Sequence, residues 1–226
     1  MSSLRVKVCG LTRPQDVRLC LDLDVDFTGF IFAEKSPRRV SPESAAAFPS
    51  GNAARVGVFA GQSPEAVVRI MSEARLDYVQ LHGGEEPAFC RAVGPERVIK
   101  VLWPERLLRE AAVPDSPGDP VGPAQFRDRL ERECRRFADV CAYFLLDAGS
   151  GGGGSGRQLD SQGFAGFNPP RPWLMAGGVG PANAAVIVDA CAPFGLDCNS
   201  ALESGPGVKD QAKLHALMAV LQPWRD

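Results

Sequence analysis

The sequence has no apolar run near the roughly 18 residues that a membrane-spanning helix needs, no CxxC pair, and no dinucleotide-type glycine fingerprint after its first strand-like run. The opening stretch, MSSLRVKVCG, lacks the long apolar segment of a signal peptide, so a cytoplasmic protein is expected. Its 7 cysteines are odd in number and scattered. That pattern indicates neither a disulfide framework nor a zinc knuckle, and most of these thiols should be reduced and buried. An excess of charge is missing too: 25 Lys and Arg face 27 Asp and Glu, a formal net charge of -2. Such a balance gives no general attraction to nucleic acid or to an anionic membrane. Any phosphate recognised here must be gripped locally.

What is present is a rhythm. Eight short runs rich in Val, Ile, Leu and Phe (LRVKVC, FTGFIFA, ARVGVFA, DYVQLH, RVIKVL, AYFLLD, PWLMAG and LDCNS) alternate with helix-like stretches. Several of the latter open on a cap followed by proline, as at Ser41-Pro42 and Ser63-Pro64. Alternation of this kind predicts parallel βα units. Eight units in 226 residues fit a TIM barrel, whose usual size is about 250 residues. The expected fold is therefore α/β, a single (βα)8 barrel over residues 1–226. A break in the rhythm at about 103–122, with its prolines and mixed charge, reads as a floppy extended loop or insertion holding one helical turn at most. A helix is expected after Leu159. The glycine-rich stretch AGSGGGGSGRQ after the sixth strand could pass for a linker, but its place after a barrel strand puts it on the active-site face.

Side chains alternate in direction along a strand. Arg5, Lys7 and Cys9 thus share one face of the first strand, with Val6 and Val8 on the other. The same parity groups Gln80 with His82, Leu145 with Asp147, and Asp197 with Asn199. If the apolar sets face the helices, polar groups gather inside the barrel at the ends of strands one, four, six and eight. Each alone reads equally well as a partly solvated rim residue; their agreement points to a site. Three glycine loops follow on neighbouring late units: Gly153, Gly154, Ser155 and Gly156; then AGGVGPAN with Gly177 and Gly178; then NSALESGPGVKD with Ser200 and Ala201. Glycines let backbone N–H groups approach an anion, and a phosphate site after strands seven and eight recurs in this fold. Tight turns use the same residues, so the order of the loops carries the argument.

Together KVCGLT, GFIFAEKSPRRVSPE, VGVF, VQLHG, LLD followed by GGSG, AGGVGPAN and PGVKD resemble the phosphoribosylanthranilate isomerase family of tryptophan biosynthesis, over nearly the whole chain. The resemblance implies a (βα)8 barrel of the ribulose-phosphate-binding type. It implies an Amadori rearrangement of N-(5-phosphoribosyl)anthranilate by general acid/base catalysis, with no cofactor and no metal. It assigns the base to Cys9, the acid to Asp147, the anthranilate carboxylate to Arg38, the ribose hydroxyls to Asp197 and the phosphate to the glycine loops. Lys7 would favour the Cys9 thiolate, and a desolvated setting or a neighbouring carboxylate such as Asp197 would help Asp147 hold a proton. Gln80 and His82 belong to the rim. Arg39 and His215 read as surface residues, and Cys20, Cys90, Cys134, Cys141, Cys191 and Cys198 as core.

Two departures stand out. Ala201 replaces a glycine of the family's SSGVE, which matters if the backbone there needs a positive φ. Leu159, Asp160 and Ser161 stand where an aromatic lid anchor is usual. A non-catalytic or differently specific phosphosugar-binding barrel remains the alternative. A histidine-pathway relative would carry an aspartate in place of Cys9. No long apolar stripe is left over after eight units are assembled, so a monomer is expected.

Overall fold

The computed structural model describes residues 3–111, 123–147, 164 and 166–225. Eight strands, β1 (Arg5–Val8), β2 (Phe27–Ile31), β3 (Ala54–Phe59), β4 (Tyr78–Leu81), β5 (Val98–Leu102), β6 (Tyr143–Asp147), β7 (Trp173–Ala176) and β8 (Gly195–Cys198), pair in parallel and in sequence order. β1 closes onto β8 with Lys7 opposite Asp197. Parallel neighbours need a crossover, and a helix supplies it in most units: α1 (Pro14–Asp22), α2 (Pro42–Ala47), α3 (Pro64–Glu73), α4 (Pro87–Val93), α5 (Pro104–Ala111), α6 (Pro123–Phe137), α7 (Ala184–Cys191) and α8 (Gln211–Arg225). The first four open on proline, whose missing N–H costs nothing at a helix start. The hydroxyls of Ser41 and Ser63 accept from the N–H groups of Ser44 and Ala66, as their cap positions predict.

Two differences from the sequence expectation concern the chain's irregular parts. The stretch after β5 does not begin as a floppy loop: α5 starts one residue after Trp103, whose carbonyl accepts from the N–H groups of Arg106 and Leu107. Pro104 at the first helical position, Glu105 in the first turn and the good helix formers of ERLLREA explain this. The other prolines that suggested a loop, from Pro114 on, lie outside the described residues. The second difference is an antiparallel hairpin after β8, formed by β9 (Glu203–Gly205) and β10 (Val208–Lys209).

The alternation within each strand sorts the core into layers. Val6, Val8, Val79, Leu81, Phe144 and Leu146 face outward into one large apolar layer against the helices. Phe27, Val56, Ile99, Val101, Leu145 and Leu174 fill the barrel interior. Rings at the strand starts close the bottom: Phe27, Tyr78 and Tyr143 meet edge to face at 6.1, 6.0 and 5.5 Å, and Phe194 stacks on Tyr143 at 5.4 Å. With the bottom plugged by apolar rings, polar chemistry is confined to the other end. There a separate small apolar group of Cys9, Ile31 and Val58 stands under the mouth.

Candidate active site

A cavity of about 760 Å³ opens where the strands end, and Cys9, Arg38, Gln80, His82, Asp147 and Asp197 all line it. Of the parity groups, Cys9, Gln80, His82, Asp147, Asp197 and Asn199 thus share one space, whereas Lys7 and Arg5 do not line it.

Cys9 follows β1, its N–H bonded to the Cys198 carbonyl at 2.9 Å. Two glycines make room for it. Gly10 has φ +73°, and a Cβ there would lie 2.6 Å from Asn199 Oδ1 and 2.8 Å from Arg38 Cδ, so only glycine lets those two side chains converge beside the thiol. A Cβ on Gly29 would stand 2.9 Å from the Cys9 sulfur. Below the thiol, Lys7 Nζ donates to Asp197 Oδ1 at 2.8 Å, and Lys7 is fully buried. Burial pushes the Cys9 pKa up, Lys7 pulls it down, Asp197 pushes it up again, and the net direction is up. Lys7 thus acts in the expected direction, but burial outweighs it. Burial alone would lower the Lys7 pKa, yet Asp197 and Cys9 together hold it above the ordinary lysine value.

Asp147 ends β6 and is buried. His82 Nε2 stands 3.5 Å from Asp147 Oδ2, an ion-pair distance without hydrogen-bond geometry. Gln80 Nε2 lies 3.2 Å from His82 Nδ1. With the amide donating there, a neutral imidazole carries its proton on Nε2, the atom nearest Asp147. Burial pulls the His82 pKa below the ordinary value although Asp147 pushes it up. The Trp103 ring meets His82 edge to face at 5.5 Å. Asp197, for which the sequence leaves a ribose-facing and a structural role equally open, pairs with Lys7 and also lines the cavity.

Arg38 lies in the loop after β2, and the hairpin holds it. Glu203 receives Arg38 Nε at 2.8 and 3.1 Å and Nη2 at 2.6 Å. Lys209, buried on β10, donates to Glu203 Oε1 at 2.9 Å and to Asn199 Oδ1 at 3.0 Å. Sequence reasoning does not single out Glu203 or Lys209. The signal that could reveal them is the Pro206-Gly207 pair between two short extended runs, with Gly207 at φ +77° as a type II turn requires.

Gly177, Gly178 and Ser200 line the same cavity. The Asn183 side chain braces the loop after β7, accepting from Gly180 N–H at 2.9 Å and donating to the Gly178 carbonyl at 3.1 Å. Ala201 sits in a 3-10 turn, Ser200–Leu202, and is not among the residues with positive φ, so the alanine brings no backbone strain. Gly153, Gly154, Ser155 and Gly156 lie outside the described residues.

A thiol and a carboxyl ending different strands of a closed (βα)8 barrel, around one cavity with a cationic corner, define an enzyme site of the acid–base type. The family model of N-(5'phosphoribosyl)anthranilate (PRA) isomerase matches residues 6–114 and 121–220, and the chain belongs to that family. A relative from Desulfovibrio desulfuricans, named N-(5'-phosphoribosyl)anthranilate isomerase, is 46% identical over 215 residues, covering 95% of this chain and 94% of its own. The phosphoribosyl anthranilate isomerase from Thermus thermophilus superposes with a TM-score of 0.75 at 35% identity, over 98% of this chain and 100% of its own. A further such isomerase, solved in complex with reduced 1-(o-carboxyphenylamino)-1-deoxyribulose 5-phosphate, gives a TM-score of 0.76 at 27% identity, over 97% of this chain and 99% of its own.

Proposed function

We propose that this chain isomerises N-(5′-phosphoribosyl)anthranilate to 1-(2-carboxyphenylamino)-1-deoxyribulose 5-phosphate in tryptophan biosynthesis, with Asp147 as general acid and Cys9 as general base. The observation that carries the assignment is that both groups line one cavity whose other walls offer an apolar floor, a guanidinium and two glycine loops. Asp147 delivers a proton to the ring oxygen as the bond from that oxygen to C1′ breaks and the amine nitrogen supplies the electron pair. Cys9, drawn toward the thiolate by Lys7 against the opposing effect of burial, then removes the C2′ proton, giving an enolamine that becomes the ketone as C1′ takes up a proton and the C2′ hydroxyl gives one up. The rearrangement is redox-neutral, so an acid and a base suffice.

Ile31 and Val58, packed beside Cys9, suit the aromatic ring. Arg38 suits the ring carboxylate, since a guanidinium fork matches a planar carboxylate. The N–H groups near Gly177, Gly178 and Ser200 suit the phosphate. We further take residues 1–226 to act as one barrel, as a monomer, in the cytoplasm. Among the described residues the exposed large apolar side chains are Val68 and Val186, one on α3 and one on α7, which supports the monomer. All 7 cysteines are buried and none is in a disulfide, as suits a reducing compartment.

The test follows the loss of anthranilate-type fluorescence when the purified protein meets freshly generated phosphoribosylanthranilate, with Cys9→Ala and Asp147→Asn beside it. Rapid loss in the wild type and a fall of about 10²–10⁴-fold in each folded variant support the assignment. A wild type that folds but leaves the fluorescence unchanged overturns it, in favour of a phosphosugar-binding barrel with another task.

A further inference from the structure

The cluster around Arg38 holds two cations for one anion. Arg38 and Lys209 both bond to Glu203, and the three side chains are 12%, 0% and 4% exposed in that order. Neighbouring charges do not redress the balance. Asp16 is taken by the Arg13 fork at 2.8 and 2.7 Å, and the exposed Lys213 adds the same sign through its bond to the Glu203 carbonyl at 2.7 Å. The geometry is as specific as the charge. Glu203 occupies Nε and Nη2 of Arg38, leaving Nη1 without a hydrogen-bond partner among the described residues. Glu203 is itself fixed at Oε1 by Lys209 and by the Gly207 N–H at 3.2 Å. A guanidinium so clamped has one free edge and little freedom to turn it.

We infer that Glu203, braced by Lys209, is the positioning residue that aims the free edge of Arg38 at the ring carboxylate. The inference rests on the proposed isomerase function and extends it to two residues of the β9–β10 hairpin. Glu203 touches no substrate in this scheme; it acts through Arg38. Preorganised donors cost no reordering when the ligand arrives, so loss of the clamp shows in binding before it shows in turnover.

The experiment compares two substrates on the whole protein: phosphoribosylanthranilate, and the ribosylamine formed from ribose 5-phosphate and aniline, which lacks the carboxylate. In the wild type the KM for the carboxylated substrate is expected to lie at least about tenfold below that of the aniline compound. Glu203→Gln is expected to raise the first KM about tenfold, with kcat within about twofold, and to leave the second KM in place. Glu203→Asp, which keeps the charge one methylene short, should fall between them.

Equal wild-type KM values for the two substrates overturn the inference even if neither variant folds. Parallel losses on both substrates in a folded variant overturn it too, and mark Glu203 as merely structural. Tighter binding of the carboxylated substrate by Glu203→Gln would show instead that Glu203 competes with the ligand for Arg38. If the wild type turns over neither substrate, the isomerase function falls and this inference with it; turnover with parallel losses removes this inference alone.

Discussion

Lys7 and Asp197 stand opposite each other in the β1–β8 ladder, and their side chains close a 2.8 Å ion pair inside the barrel, two residues before the Cys9 thiol. The pair is a third consequence of barrel closure, after the apolar filling and the aromatic plug. It exists only because the first strand and the last meet. Two buried charges are tolerated in each other's company and not alone. Lys7→Met is therefore expected to lower stability by about 3–5 kcal/mol, and Lys7→Met with Asp197→Leu to recover most of that. Urea denaturation of the single and double variants measures it. A loss below about 1 kcal/mol in the single variant would show that Asp197 finds another partner.

The same lysine controls the thiol. Burial holds the Cys9 pKa above its usual 9.0, against the pull of Lys7. Alkylation of Cys9 by iodoacetamide should therefore be slow near pH 7.5 and rise about tenfold per pH unit through pH 9. Lys7→Met, lacking the cation that draws out the thiolate, should react more slowly at each pH. Peptide mass mapping resolves Cys9 from the other cysteines. A rate that levels off below pH 8 would identify a pre-formed thiolate and contradict a thiol held neutral by burial.

Gly29 offers a separate probe of the thiol's position. Its missing Cβ leaves the space into which the Cys9 sulfur fits, since a methyl there would come within 2.9 Å of it. Gly29→Ala is expected to push the sulfur from its place and to lower kcat about 10-fold or more, because a displacement of about 1 Å at a reacting group is costly. The melting temperature should fall as well, because the added methyl would also lie 3.0 Å from the Cys9 Cα in a buried strand, so kcat is compared at a temperature where the variant is fully folded. An unchanged kcat would mean that the sulfur has another equally productive position.

Much of this site is legible along the chain, and the reason is the period of the strand. Lys7 with Cys9, Gln80 with His82, and Leu145 with Asp147 sort correctly because inward and outward positions alternate by two residues. Local helix chemistry in ERLLREA is equally legible once the later prolines are set aside. The partner of Arg38 is another matter. Glu203 lies 165 residues away and reaches Arg38 from a hairpin that no hydrophobic period announces. The fate of Asp197 is likewise decided by ring closure, which pairs it with Lys7 across 190 residues. Contacts between distant loops depend on where the scaffold sets them down, so composition and spacing leave them open.

Glu203 also makes a prediction about acid. Burial pushes its pKa up, but the bonds from Arg38 and Lys209 outweigh burial and hold it below the reference 4.5. A carboxyl depressed in the folded state binds fewer protons there than in the unfolded chain. Its contribution to stability is therefore complete above about pH 4.5 and is lost as pH falls through the lowered folded value. Asp26, bonded by Arg5, Arg225 and the Val6 N–H, carries the same sign from a reference of 3.8. His82 adds a fall that begins below about pH 6.5, since its depressed pKa leaves it neutral where the unfolded chain would protonate. Asp26 and His82 remain in Glu203→Gln, so the difference between the two stability curves isolates Glu203. The variant is expected to have the lower urea midpoint at pH 6 and a shallower decline toward pH 3, so that the gap between the two curves narrows as pH falls. Parallel curves from pH 6 to pH 3 would show that Glu203 titrates as in the unfolded chain, and that the Arg38 clamp carries no net electrostatic stabilisation.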